Sequence, residues 1–419
     1  MKAIKILSLA LLVLAASCKK EEFMPVPEGG KIPYEEVTTA LQELLNGTNY
    51  QLFKQAWNKS NMNSILALKG AKASYTLLVP DDAAMKAAGW NENSINNAAQ
   101  EDLDTLLMYH TLNGMLDSTA IREQIGNVGR ISLLTNPRFT EQLNGPGNAV
   151  PYPLPSEYRQ YIGITREGEL LVNGKGAGTA KPLMAKNGVI WPINKVQVQP
   201  GKTILEILQA DGRFGLYLEA LRINDSLYSA VDGLDVFSMM DYLFLPGLDC
   251  RKAEIDWDCF CPKYTPGMLS RFSLFAPTDD AFKKEGLFTP EDIRELASRS
   301  KPAYIDYVLQ GRMTTDSLLS MHVWGMQGQL MRVDVPPVFY SNDLTPEKLK
   351  FHDIQSGGIF SPVTGTTPLE FSKDANGRVQ VKYKDSQYEK ATVIEGDIQA
   401  MQGPIHVVDR LIIPKNFVF

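Results

Sequence analysis

Apolar residues recur at helical spacing at the start of each half of the chain. After residue 32, Val37, Leu41 and Leu44 fall three or four positions apart, which is the period of one helix face. A denser apolar run, Ile204–Leu221, opens the second half in the same way. Both halves are therefore predicted to begin with amphipathic helices.

Two short apolar segments that end at a proline predict a strand in each half. The first stops at Pro80 and the second at Pro277. The residues that follow, Asp81 and Thr278, are good helix N-caps. Each half is thus predicted to pass from helices into a strand and then directly into another helix.

These strand segments belong to a block that occurs twice. Residues 74–85 read SYTLLVPDDAAM, and residues 271–282 read RFSLFAPTDDAF. A second block closes each half, with NGVIWPINKV at 187–196 and QGPIHVVDRL at 402–411. A pair of motifs repeated in the same order predicts two copies of one fold.

The N-terminal residues resemble an export signal. Two lysines precede an apolar run, Ile6–Ala16, which is too short at 11 residues to cross a bilayer core of about 30 Å. Residues 14–18, LAASC, resemble a bacterial lipobox. This predicts a signal peptide at 1–17 and an acylated Cys18, with an ordinary cleaved signal and an incidental cysteine as the alternative.

The residues after Cys18 predict where the protein is held. Lys19–Glu22 resembles the charged tag of surface-exposed lipoproteins of the Bacteroidota, and 18–32 is predicted to be a lipidated, flexible tether. We expect anchoring at the outer membrane through lipid on Cys18, with the folded part facing the cell exterior.

The charge of the chain argues against a nucleic-acid partner. The formal charge of −6 becomes −8 once the two lysines of 1–17 are removed. An acidic balance supports solubility and offers no basic face for phosphates.

The repeated blocks resemble the signature motifs of the fasciclin domain. Residues 272–282 are similar to the first motif, 403–409 to the second, and 109–114, YHTLNG, to the central Tyr-His segment. The resemblance extends over about 33–419. It implies an α+β fold in which each domain is a wedge of β-sheet with packed helices.

The resemblance also implies the domain boundaries and a set of structural positions. The first fasciclin-like domain is expected at 33–200 and the second at 201–419, with an insertion at about 229–270. The positions that match the family motifs are Pro80, Tyr109, His110, Gly188, Pro277, Thr278, Gly403 and His406.

The two copies differ at their histidines. Both have the same 34-residue spacing from the motif proline to a later glycine, and this spacing aligns Tyr307 with His110. The closing blocks align Trp191 with His406. We therefore expect that neither copy has both histidines.

Two histidines in the motifs are candidate catalytic groups. His110 and His406 could act as general bases near neutral pH. No nucleophile stands at a motif spacing from them, and the sequence contains no Gly-x-Ser-x-Gly elbow. We interpret both as buried and hydrogen-bonded, and we expect no catalytic residue, cofactor or metal.

Three cysteines follow Cys18 in an exported chain. A disulfide between two of Cys250, Cys259 and Cys261, with one thiol left over, is the simplest prediction. Free thiols are the second interpretation. A zinc site is the third, because no histidine lies nearby in sequence as a fourth ligand.

Aromatic residues in two segments are candidate contacts for a ligand or partner. Rings on loops held by a rigid scaffold suit recognition. The alternative is that they pack onto their own domain. The candidates are Tyr152, Tyr158 and Tyr161 in the first half, and Trp257, Phe260 and Tyr264 in the insertion of the second.

Three functions remain open at this level. The favoured one is a non-enzymatic surface lipoprotein for cell adhesion or binding, which contacts a glycan, a matrix protein or a neighbouring outer-membrane protein. The second is an accessory subunit of an outer-membrane importer of glycan or peptide. The third and least favoured is a polysaccharide-active enzyme, which needs two carboxylates across a cleft.

Overall fold

The computed structural model describes residues 37–70, 72–141, 154–232, 243–256, 261–266, 269–306, 308–324, 331–332, 338–349, 353–356 and 363–419. Thr39–Phe419 form one compact unit. We call 39–200 the first half and 201–419 the second half; the predicted division at 200 stays a prediction. The predicted signal peptide and tether lie outside the described residues.

Helices of the first half precede and separate the first three strands of an eight-stranded sheet. The elements of this half are α1 (Leu41–Asn46), α2 (Gln51–Lys59), α3 (Met62–Leu68), β1 (Tyr75–Pro80), α4 (Asp82–Ala87), α5 (Glu92–Asn97), α6 (Gln100–His110), β2 (Thr111–Asn113), α7 (Ser118–Arg122), β3 (Val128–Glu141), β4 (Leu154–Ile164), β5 (Glu169–Val172), β6 (Lys175–Thr179), β7 (Leu183–Ala185) and β8 (Gly188–Ile193).

In the part of the chain that the structure describes, α-helices open the second half. These are α8 (Ile204–Ala210), α9 (Gly215–Tyr228) and α10 (Leu245–Leu248). The segment of the predicted insertion then contains a hairpin, β9 (Arg251–Asp256) and β10 (Cys261–Pro266).

The rest of the second half alternates strands and short helices. Its elements are β11 (Ser273–Pro277), α11 (Asp279–Lys283), α12 (Pro290–Ser298), β12 (Ala303–Ile305), β13 (Val308–Gln310), α13 (Thr314–Leu319), β14 (Val323–Trp324), β15 (Met331–Arg332), α14 (Pro346–Leu349), β16 (Asp353–Ser356), β17 (Val363–Thr366), β18 (Leu369–Lys373), β19 (Val379–Tyr383), β20 (Ala391–Gln399) and β21 (Pro404–Val408). Among the described helices, none has the length and apolar character needed to span a bilayer.

Both halves build their main sheet around the same pair of strands. The first sheet has the order β6-β5-β4-β3-β2-β1-β8-β7, and the second has β14-β11-β21-β20-β19-β18. In each, the strand that ends at the motif proline runs parallel to the closing strand, β1 with β8 and β11 with β21. The α+β class is confirmed, and the structure shows in addition that the two repeated blocks pair with each other in each half.

The register of these strands confirms one predicted equivalence. Leu78 of β1 lies opposite Trp191, and Phe275 of β11 lies opposite His406. Trp191 and His406 therefore occupy the same place in the two halves, and both are fully buried.

The predicted caps begin the helices that follow the motif prolines. The Asp81 carboxylate accepts a hydrogen bond from Ala84 N at 2.7 Å. The Thr278 hydroxyl accepts one from Ala281 N at 3.3 Å. Each cap satisfies a backbone amide that the helix itself leaves unpaired, so α4 and α11 start at their motifs.

Glycine is required where each closing strand begins. A Cβ on Gly188 would lie 2.4 Å from the Tyr75 carbonyl oxygen, and one on Gly403 would lie 2.2 Å from that of Phe272. Gly403 also has a φ of 153°. The parallel strand pair closes at this point only because no side chain intervenes.

The cores of the two halves form where helices cover a sheet face. In the first half, Phe53 and Trp57 of α2 pack with Leu77 of β1. In the second half, Tyr217 of α9 packs with Phe282 in the corresponding cluster. The amphipathic helices predicted at the start of each half thus contribute buried side chains to these cores.

The long antiparallel pair β3 and β4 extends from the first half and contacts the second half. Phe139, near the end of β3, is buried in a cluster with Cys250, Leu269 and Met401 of the second half. Arg138 pairs with Glu206 of α8 at 3.1 Å on the exposed side. The two halves therefore share a small apolar core.

Candidate binding site at the seam

The seam is the contact that Asn127, β3, β4 and the 173–174 turn of the first half make with Val338–Asp343 and Asp397 of the second. At its centre, Asn127 and Asn342 exchange amide hydrogen bonds of 3.0 and 2.8 Å. Asn127 N also donates to Asp343 Oδ1 at 3.0 Å. These reciprocal bonds fix the register between the halves.

Aromatic packing continues the seam. The Tyr161 ring on β4 lies 5.4 Å from the ring of Tyr340. Asn173, which begins the turn between β5 and β6 with a φ of 51°, accepts a hydrogen bond from Tyr161 N at 2.9 Å. This turn holds the backbone of β4 where its tyrosine meets the second half.

A cavity of about 240 Å³ opens along the seam. Its wall combines apolar and charged side chains from both halves, including Arg130, Arg159, Tyr161, Phe339, Asp343 and Lys348. A mixed wall of this kind can hold a ligand by shape, charge and hydrogen bonding.

Asp343 and Lys348 organise one side of the cavity. Asp343 is 4% exposed, and its carboxylate lies 3.2 Å from Lys348 Nζ. Burial raises the pKa of Asp343, and the neighbouring lysine opposes that rise. The ion pair keeps this buried carboxylate compensated.

His110 is a buried structural residue, as its sequence context suggested. Its Nδ1 lies 2.8 Å from Leu106 O, and Nε2 accepts a hydrogen bond from Gln197 N at 3.0 Å. Since Nε2 must be the acceptor, Nδ1 carries the proton and donates to the carbonyl. Burial lowers the pKa of His110 to about 4.

His322, which lies in neither repeated block and which no sequence pattern singled out, is the counterpart of His110. Its Nδ1 lies 2.8 Å from Phe275 O, and Nε2 accepts from Ile412 N at 3.1 Å. Burial lowers its pKa to about 4 as well. Both histidines stand directly before the short strand that pairs antiparallel with the motif strand.

The predicted alignment of Tyr307 with His110 is therefore wrong. His322 follows Pro277 by 45 residues, whereas His110 follows Pro80 by 30. The β12–β13 hairpin, inserted between α12 and α13, accounts for the extra length. The second half has both His322 and His406, so the expectation that neither copy has both histidines is also corrected.

His406 stands near a carboxylate and a serine without forming a nucleophile. Its Nε2 lies 2.8 Å from Phe339 O, and its Nδ1 is 3.9 Å from Asp397. The Ser341 hydroxyl donates to Asp397 at 2.5 Å. Burial lowers the pKa of His406. The serine is bonded to the acid and the histidine to the backbone, so these bonds order the second half's side of the seam.

Two buried carboxylates of the second half lie apart from the seam. Asp225 on α9 accepts hydrogen bonds from Phe244 N and Leu245 N at 2.8 and 2.9 Å. Burial raises the pKa of Asp225 to about 7 and that of Asp316 to about 6. Asp225 ties the segment before α10 to α9.

The structure places the aromatic candidates differently. Tyr161 lines the cavity, and the Tyr158 ring packs edge-on against Tyr109 at 5.8 Å. Tyr264 lies in β10, opposite Ala253. The remaining three, Tyr152, Trp257 and Phe260, lie outside the described residues. That these rings contact a partner stays a prediction.

The structure excludes Cys250 from the disulfide predicted between two of the three cysteines. Cys250 is a free thiol that is 1% exposed. It lies in the apolar cluster around Phe139, and burial raises its pKa above the ordinary range. Cys261 lies in β10, and Cys259 is outside the described residues, so their pairing stays open.

Comparison with known proteins bears on the first half. The Fasciclin domain family matches residues 48–199. The first half is thus similar to a fasciclin domain. The match runs from just before α2 to just beyond β8 and includes His110 with its partner Gln197.

No curated protein matches the chain. A solved FAS1 domain pair from the insect cell adhesion molecule fasciclin I is 15% identical, covering 88% of this chain and 97% of that one, with a TM-score of 0.29. The internal likeness of the two halves therefore rests on the strand registers and histidine contacts given above.

Proposed function

We propose that this chain is a non-enzymatic adhesion or binding protein of the cell surface. The fasciclin domain match at 48–199 carries the proposal, because such domains are generally adhesion modules. His110 and His322 are buried with both ring nitrogens hydrogen-bonded, which supports a scaffold role for these two residues.

The proposed place of action is the exterior of an outer membrane, reached through lipid on Cys18. The support is the sequence LAASC at 14–18 and the charged residues that follow it. Several acyl chains hold a protein to a membrane, since each buried CH₂ contributes about 0.8 kcal/mol. The folded halves would then present their surfaces to glycans, matrix proteins or neighbouring membrane proteins.

Anchoring is tested in the full-length chain. Cys18→Ser should move the protein from the membrane fraction to the soluble fraction, whereas Cys259→Ser should leave it in place. Protease added to intact cells should digest the wild-type protein if it faces outward. Recovery of the Cys18→Ser protein with the membranes would contradict lipid anchoring.

Adhesion is tested with the soluble protein from residue 33 on beads. Retention on a glycan array or on extracellular matrix proteins, above albumin-coated beads, supports the proposal. Co-purification with an outer-membrane importer from solubilised membranes would instead favour the accessory-subunit function. Measurable turnover of a polysaccharide would overturn the non-enzymatic assignment.

A further inference from the structure

Strand β18 forms an open edge of the main sheet of the second half. It pairs with β19 on one side, and no strand among the described residues pairs with its other side. The other outer strands of the two main sheets offer less. β7 and β14 have three and two residues, and in β6 Ala177 O already accepts a hydrogen bond from Asn194 N at 2.9 Å. β18, with five residues, is the longest uncovered edge of these sheets in the described chain.

The pairing with β19 decides which main-chain groups face the open side. Lys384 N donates to Pro368 O at 2.7 Å, in the register of this strand pair. Bonded and non-bonded positions alternate along an antiparallel ladder. Leu369, Phe371 and Lys373 therefore direct their main-chain groups away from β19, toward the open side.

Most of these main-chain groups have no partner. Leu369 N donates to the Thr367 hydroxyl at 3.1 Å. In the described part of the chain, Phe371 N, Phe371 O and Lys373 N make no hydrogen bond. A row of unpaired donors and acceptors is a template for an added strand.

A groove of about 440 Å³ follows this edge. Four consecutive residues of β18, 369–372, line it. Successive side chains of a strand point to opposite faces of the sheet, so a groove that touches four in a row lies along the strand edge. Pro346 and Leu349 of α14 border the groove on the core face, where Leu349 packs with Leu369 and Phe371. The groove therefore leaves room for a strand beside β18.

The charged residues at the groove are mainly basic. Lys384 and Lys390 line it, and Lys373 ends β18 beside it. Glu370 is the one acid among the described residues of the wall, and it lies directly opposite Lys382 on β19. Opposite charges at such a position balance each other. The other three lysines are exposed, and none forms an ion pair with a described residue.

The acids next to these lysines in the sequence are already paired. They form ion pairs at 2.7, 3.8 and 2.5 Å, which join Asp374 to Arg378, Asp385 to Lys415, and Glu389 to Arg410. The positive charge along the edge is thus available to a partner.

The charge and the two faces of the edge decide between occupants. Lysines on an edge strand discourage pairing with a second copy of the chain, whereas an acidic strand is attracted to them. Lys390 Nζ donates to the Ser372 hydroxyl at 2.9 Å, on the face opposite to α14. Alternate side chains of an added strand would therefore meet lysines on one face, and Pro346 and Leu349 on the other.

We propose that the open edge of β18 binds an extended segment of a partner protein in which acidic and apolar residues alternate. This inference rests on the proposed binding function and names the chemistry of a protein partner for it. Main-chain hydrogen bonds to Phe371 and Lys373 hold the segment, and its acidic side chains lie beside Lys384 and Lys390.

The test is a calorimetric titration of the soluble protein from residue 33 with short synthetic peptides. The parent probe is Thr-Glu-Val-Glu-Val-Glu-Thr, and the charge control has lysine in place of each glutamate. We expect saturable binding of the acidic peptide, which weakens as salt is added, and much weaker binding of the control. Equal binding of the two peptides, or no binding of the acidic one, would overturn the proposal.

Two N-methylated forms of the acidic peptide test strand addition itself. One carries methyl groups on the valine amides and the other on the glutamate amides. An added strand bonds to β18 through every second residue, so it needs only one of these two sets of amides. We expect one form to lose binding and the other to retain it. Binding of both forms at the strength of the parent peptide would rule out strand addition.

Variants of the protein locate the site. Lys373→Pro removes a donor from the open edge, at a position where proline is tolerated because this N–H does not bond to β19. Lys373→Gln removes the charge alone. The proline variant should bind the acidic peptide about fivefold more weakly than the glutamine variant, which corresponds to about one backbone hydrogen bond. Equal affinities would contradict the assignment. The methylated peptides, which use the wild-type protein, carry the test if the proline variant fails to fold.

The lysines are tested as a pair. The double variant Lys384→Gln/Lys390→Gln should bind the acidic peptide about threefold more weakly than the wild type, because exposed charge pairs contribute little each. Lys301→Gln, an exposed lysine of the same half that does not line the groove, is the matched control and should bind as the wild type. A double variant that binds as tightly as this control would remove the charge argument. Each variant is first checked for a wild-type melting curve.

Two further outcomes separate this inference from its alternatives. If sedimentation shows a wild-type dimer and a monomeric Lys373→Pro protein, the edge binds a second copy and the proposal is overturned. If the acidic peptide never binds while the protein still adheres to matrix or glycan beads, only the edge assignment fails and the proposed function stands.

Discussion

His322→Gln should change how the stability of the protein depends on pH. In the folded state His322 stays neutral, because Nε2 accepts from Ile412 N in a fully buried site. Its pKa there is about 4, whereas an unfolded chain protonates histidine near 6.5. Between these values the unfolded state binds more protons, so the free energy of unfolding falls as the pH falls.

The size of the effect follows from the same pKa. One proton taken up on unfolding gives a slope of roughly 1.4 kcal/mol per pH unit. Between pH 7 and pH 4, His322 accounts for about 3 kcal/mol of unfolding free energy. The glutamine variant should lose this slope. It should also be less stable at pH 7.5 by about 1–3 kcal/mol for each buried backbone group left unpaired.

The assay is urea unfolding of wild type and variant at several pH values from 4.5 to 7.5. Asp225 and Asp316 contribute with the opposite sign, since their pKa values are raised, but they cancel when the two proteins are subtracted. His110→Gln should reproduce the change of slope. Phe288→Ala, at an exposed position, should not. A His322→Gln protein with the wild-type slope would refute the buried neutral histidine.

Three other changes test the rest of the architecture. The melting temperature of Asp225→Asn should rise relative to that of the wild type between pH 5 and pH 8. The raised pKa of Asp225, about 7, makes the wild type lose stability as the pH rises, and the amide removes this loss. A difference in melting temperature that stays constant with pH in calorimetry would contradict this. Gly403→Ala should lower stability by more than about 2 kcal/mol in urea unfolding, and Gly377→Ala, with open space around it, by less. Asn127→Ala should cost about 1–3 kcal/mol through the broken seam amides, and an unchanged urea midpoint would show that the seam contributes nothing.

The duplicated blocks allowed the centre of each half to be predicted. The strands that end at Pro80 and Pro277, their caps and the closing strands all lie where the motifs put them. Local chemistry explains this success, because a proline, a capping residue and a glycine each act within a few residues of their position.

The same motifs misplaced the histidine of the second half. A 34-residue spacing from Pro277 to Gly311 matched that of the first half by coincidence, because Gly311 follows the inserted β12–β13 hairpin. The useful signal was a histidine directly before a short apolar strand, as in His110-Thr111 and His322-Val323. The pairing of that strand with the motif strand, which sequence spacing does not report, identifies His322 as the equivalent of His110.

The seam could not be predicted from the sequence. Asn127 and Asn342 are 215 residues apart, and neither lies in a motif. Cys250 shows the same limit. Cys250 packs against Phe139, which is more than 100 residues away in the sequence. Sequence proximity favoured a disulfide with Cys259 or Cys261, and for Cys250 that expectation is wrong.

The projecting β3–β4 hairpin limits how the chain can be divided in the laboratory. A fragment that stops at residue 200 would carry Phe139 on an arm with nothing to shield it, because Cys250, Leu269 and Met401 would be missing. A fragment that starts at 201 would expose the opposite wall of that cluster. Fragments divided at residue 200 should therefore self-associate. Crystallisation and surface display should use the two halves together, as one chain.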